Sequence, residues 1–63
     1  MMDTNQALNR IEAILAGHRQ PIRGRVMSSH FIYFRGCISP ELWAEIELAL
    51  GCKAEFGIVI VKS

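Results

Sequence analysis

Arg23, Arg25 and Arg35 flank Phe31 and Tyr33 in a stretch with no acidic residue: His18 to Gly36 holds four arginines and two histidines. Exposed rings can stack on unpaired bases while guanidinium groups meet phosphates, so this pairing of residue types suits single-stranded nucleic acid. Arg19 and His30 lie in the connections on either side and complete the candidate set. An acidic protein surface would satisfy the same cations. From Cys37 onward the chain carries four glutamates and two lysines, a local charge of −2 within a total of +1. Such asymmetry between halves points to one side facing an anionic partner.

Other chemistries fit less well. Cys37 and Cys52 flank a helix of about 16 Å, too long for one disulfide or one tetrahedral metal site to bridge. Both read as buried structural thiols in a reducing compartment. His18 and His30 would need to reach one substrate to act as an acid–base pair. Ser29-His30 ahead of an aromatic strand resembles the catalytic strand of small toxin ribonucleases. That resemblance implies RNA cleavage through His30, yet a helix directly after the strand departs from their strand-rich pattern, and no family is adopted. The five glycines are scattered one to an element, so no phosphate-cradling loop and no cofactor motif is present.

The elements that must position these residues follow from pattern. Asp3 and Gln6 form a capping-box variant. Leu8, Ile11, Ile14 and Leu15 then share a helical stripe over residues 4–16, with Gly17 as a left-handed stop. Residues 22–27 alternate, and residues 31–35 are dense in strand formers. Ser28-Ser29-His30 reads as a three-residue loop with His30 near the left-handed region. This loop pairs Val26 with Ile32, Arg25 with Tyr33, Gly24 with Phe34 and Arg23 with Arg35. A one-residue slip would set arginines beside Ile32 and Phe34. One face is then Ile22, Gly24, Val26, Ile32 and Phe34; the other is Arg23, Arg25, Met27, Phe31, Tyr33 and Arg35.

Ser39-Pro40-Glu41 starts a second helix and Gly51 ends it. Leu42, Trp43, Ile46, Ala49 and Leu50 form its buried arc, opposite Glu41, Glu45 and an isolated Leu48. Residues 55–62 read as a last strand, apolar on both faces and therefore central or covered by another chain. The expectation is a single α+β domain over residues 1–63, of order α-β-β-α-β. Its three-stranded, mostly antiparallel sheet carries both helices on one face. A right-handed crossover sets the last strand parallel, giving order 2-1-3, with 1-2-3 as the alternative.

At 63 residues and 51% hydrophobic, with mean hydropathy +0.23, the chain is too small for a large enzyme core or several domains. Apolar burial stabilises it by roughly 93 kcal/mol, and ordering it costs about 95 kcal/mol. A lone copy is marginal, and a homodimer is expected. No run approaches a membrane span and the N-terminus lacks a signal pattern, so a cytoplasmic protein is expected. The functional expectation is a non-enzymatic binding protein for nucleic acid or another anionic partner. The alternative is a compact inhibitor of a larger protein complex, of the phage or plasmid anti-host type.

Overall fold

The computed structural model describes residues 3–61. Six elements follow in order: α1 (Thr4–Gly17), β1 (Gly24–Val26), β2 (Phe31–Phe34), α2 (Pro40–Leu50), β3 (Lys53–Glu55) and β4 (Ile58–Ile60). They form an α+β fold with one sheet of order β1-β2-β4-β3, antiparallel throughout.

The sheet has four strands, not the three expected from the sequence. Residues 55–62 are not one strand, because Phe56 and Gly57 stand at φ 53° and 78° and reverse the chain. Glu55 and Ile58 pair directly across this two-residue turn. Two central residues at positive φ match the right-handed twist of a hairpin, and Asn-Gly is its usual sequence signal. Phenylalanine in the first position hides that signal. The reversal sends β4 back antiparallel beside β2, replacing the parallel strand and the order 2-1-3. The neighbour is the one that order 1-2-3 gives the last strand, with β3 added outside it. Position 62 lies outside the described residues.

The central position of β4 explains its two apolar faces: Val59 is fully buried, while Ile58 and Ile60 are half-buried. The β1–β2 register matches the pattern argument, with Gly24 opposite Phe34, Arg25 opposite Tyr33 and Val26 opposite Ile32. Arg23 and Arg35, expected as a fourth pair, fall just outside this ladder. His30 does not occupy the left-handed region, since Arg19 and Phe56 are the described non-glycine residues at positive φ.

α1 begins where the Asp3 carboxylate accepts from the Gln6 amide at 2.7 Å. Its end differs from expectation: Gly17 remains helical and His18 is the C-cap. Arg19, at φ 61°, takes the left-handed position. The Gln20 amide donates to the Leu15 carbonyl and the Arg19 amide to that of Ala16, closing a Schellman motif. α2 ends as its sequence implies, with Gly51 at φ 66°, and starts with the Ser39 hydroxyl accepting from the Leu42 amide at 3.3 Å.

The core gathers Ala7, Ile11 and Leu15 from α1, Leu42 and Ile46 from α2, and Ile32, Phe34 and Val59 from the sheet. Trp43, half-buried, packs against this core and meets Phe34 edge to face, with centroids 5.8 Å apart. Ala49, expected in the buried arc, is exposed. Gly24 makes room for the Phe34 ring: a Cβ there would fall 2.4 Å from its Cε2.

No repeat is visible in the sequence, yet the chain runs helix–strand–strand twice. Each helix fastens its own edge strand with one glutamate. Glu12 of α1 accepts from the Gly24 amide at 3.0 Å, and Glu47 of α2 from the Ala54 amide at 2.7 Å. Exposed edge amides invite pairing with other chains, and both clamps occupy such an amide. At the opposite end of the sheet, the Thr4 hydroxyl donates to the Ser29 carbonyl. Among the described residues no helix is long and apolar enough to cross a membrane.

Candidate functional site

Register alone assigns the two sheet faces, because directly opposed residues point the same way. The row Val26–Ile32–Val59–Ala54 faces the helices. The row Arg25–Tyr33–Ile58–Glu55 faces away from them, across all four strands. A second outward row runs Phe31–Ile60–Lys53, and Met27, whose amide donates to the Phe31 carbonyl, extends it. Among the described residues no helix covers these two rows. Phe31 is 41% exposed and Tyr33 39%, although both sit on a central strand.

Arg25, Phe31 and Tyr33 are therefore brought together as the sequence implies. The two rings stand two residues apart on one strand, about 7 Å along it, a spacing open enough for bases to lie against each. Arg25 is directly opposite Tyr33, so its guanidinium can lie beside the ring. Arg23 and Arg35 are exposed, each one residue beyond the Gly24–Phe34 end of the ladder. Arg19 sits at the C-terminal end of α1, serving its cap. His30 lies in the β1–β2 loop, where its carbonyl accepts from the Val61 amide at 2.7 Å.

The two histidines stand too far apart to form one acid–base pair. Thr4 holds the loop next to His30 at the start of α1, whereas His18 caps the other end, about 20 Å away along fourteen residues. His18 Nε2 lies 2.8 Å from the Glu45 carboxylate instead. That contact lines a depression of about 510 Å³ between the α1–β1 connection and α2, with Gln20, Glu41 and Leu48. Among the described residues no cluster of three or more His, Cys, Asp or Glu is placed to hold a metal ion.

Both cysteines are free. Burial holds for Cys52 but not for Cys37, which is exposed after the core strand β2 has ended. Burial, and then the Glu47 carboxylate, push the Cys52 thiol above its ordinary value of 9.0.

Sequence reasoning missed half of the open face. Phe56, 96% exposed, stands at the β3–β4 turn. With Met27, Phe31, Ile58, Ile60, Ser28 and Glu55 it lines a shallow groove of about 450 Å³. Sequence pattern merges Glu55, Phe56, Ile58 and Ile60 into one continuous strand, and a Phe-Gly step between two paired halves is the available signal. In comparison with known proteins, no family model, no curated protein and no solved structure matches this chain.

Proposed function

We propose that the chain is a non-enzymatic binding protein whose uncovered sheet face takes single-stranded nucleic acid. The observation that carries this reading is two exposed aromatic rings on a central strand, Phe31 and Tyr33, with Arg25 directly opposite Tyr33. Exposed rings on a rigid strand offer stacking surfaces without ordering a loop. Arg25, with Arg23 and Arg35 beyond the ladder, supplies positive charge on the β1–β2 side. The test is fluorescence anisotropy of a labelled oligothymidine titrated at several salt concentrations. Tyr33→Ala costs roughly 1–3 kcal/mol of binding where a base stacks. Arg25→Ala lowers the salt slope by about one phosphate contact. No binding at low salt, or binding indifferent to both changes, refutes the proposal.

The apolar groove from Met27 to Phe56 favours a second reading, a compact inhibitor that docks on a larger protein. Such a surface has little for a phosphate to meet, and aromatic side chains are enriched in the energetic centres of protein interfaces. Binding lost in Phe56→Ala and unaffected by salt would select it.

A further inference from the structure

The order of charges across the open face is self-complementary. Its middle row starts with a cation at one edge and ends with an anion at the other: Arg25, Tyr33, Ile58, Glu55. The next row runs Met27, Phe31, Ile60, Lys53. Between the charged edges lies an apolar centre, with Met27 60% exposed and the Phe31 and Tyr33 rings each about two-fifths exposed. The sheet edges offer less, because Glu12 and Glu47 already occupy amides there.

We propose that a second copy of the chain packs face to face on this sheet, about a twofold axis that runs parallel to the strands between β2 and β4. That rotation lays β1 of each copy over β3 of the other. Arg25 then meets Glu55 of the second copy, and Glu55 meets its Arg25. Tyr33 lies over Ile58, Phe31 over Ile60, and the Lys53 stem over Met27. The other in-plane twofold, perpendicular to the strands, stacks Arg25 on Arg25 and Glu55 on Glu55 where it passes through their row, and Arg25 on Met27 where it passes between the two rows. The proposed isologous arrangement is the one that pairs Arg25 with Glu55. Packed sheets stand about 10 Å apart, a gap that an arginine and a glutamate span together. The face is four strands wide and three or four residues long, at the low end of interface sizes, and association is expected in the micromolar range. This inference does not rest on the nucleic-acid reading: the two occupants share one surface and exclude each other, so a second copy and an oligonucleotide compete for it.

Sedimentation equilibrium of the full chain, free of nucleic acid, tests it. The mass is expected to rise from one protomer to two across the micromolar range. Arg25→Glu and Glu55→Arg each oppose like charges at both contacts and weaken the dimer at least tenfold. The double variant Arg25→Glu/Glu55→Arg restores it, with unchanged circular dichroism in all three. A one-protomer mass at every concentration overturns the proposal. So do singles that dimerise like wild type, or a double variant that stays as weak as the singles. Oligothymidine binding is scored separately, so failure of either reading leaves the other legible.

Discussion

Replacing Gly24 by alanine probes how tightly the helix layer sits on the sheet. Gly24 does not have a positive φ, so alanine fits its backbone. On backbone grounds alone Gly24→Ala would stabilise by about 0.4–1 kcal/mol through the unfolded chain. Packing reverses the sign. The new Cβ would stand 2.4 Å from Phe34 Cε2, 2.6 Å from Phe34 Cζ and 2.6 Å from Leu8 Cδ1. Carbon atoms prefer about 3.5–4.0 Å, so two side chains from different layers must each give way by about 1 Å. Phe34 is 1% exposed and holds the Trp43 edge, and cannot retreat alone. Overpacking of this kind costs about 2–3 kcal/mol, against a total of about 3–9 kcal/mol for a chain this long. Urea unfolding should show that loss, and the melting temperature should fall by about 10–20 °C. In a Phe34→Leu background the penalty should shrink by at least about 1 kcal/mol, because the two sites compete for one space. A Gly24→Ala cost below about 0.5 kcal/mol, or strict additivity with Phe34→Leu, would refute the reasoning.

Four further outcomes follow from particular contacts. Glu47→Ala removes the acceptor of the Ala54 amide and should cost about 1.5–3 kcal/mol by urea unfolding, with fastest hydrogen exchange in β3; Glu12→Ala should do the same to β1. Phe56→Asn relieves a bulky residue at positive φ and should raise stability by about 1 kcal/mol. Iodoacetamide at pH 8 should label Cys37 first, as Cys52 is buried with its thiol pushed up. The folded chain holds the Cys52 proton more tightly than the unfolded one. Stability should therefore fall as pH rises above about 9, and Cys52→Ala should flatten that decline.

The parts of the fold legible in the sequence are those governed by local rules. Ser39, Pro40 and Gly51 mark α2 by capping chemistry alone, and the β1–β2 register follows from keeping arginines away from Ile32 and Phe34. The β3–β4 hairpin was hidden because its turn breaks the usual composition: Phe56 adopts a conformation that glycine or asparagine ordinarily supplies. Strand order depended on that one turn, so a single unread dipeptide changed three strands into four. Arg19 illustrates the same effect at the end of α1, where Gly17 had been the natural candidate for the left-handed position. Within the candidate site, period-2 alternation was enough to unite Arg25, Phe31 and Tyr33. It could not add Ile58, Ile60, Lys53 and Glu55, whose side of the sheet is set by long-range pairing. The glutamate clamps had no local signal, since Glu12 and Glu47 look like ordinary solvated helix residues.

The most direct test of the open face as the functional surface is an amide-resolved NMR titration of the chain with oligothymidine. Shifts should concentrate at Arg25, Phe31, Tyr33, Ile58 and Ile60, and leave the exposed sides of α1 and α2 unmoved. Shifts confined to the helices, or none at concentrations well above micromolar, would contradict it.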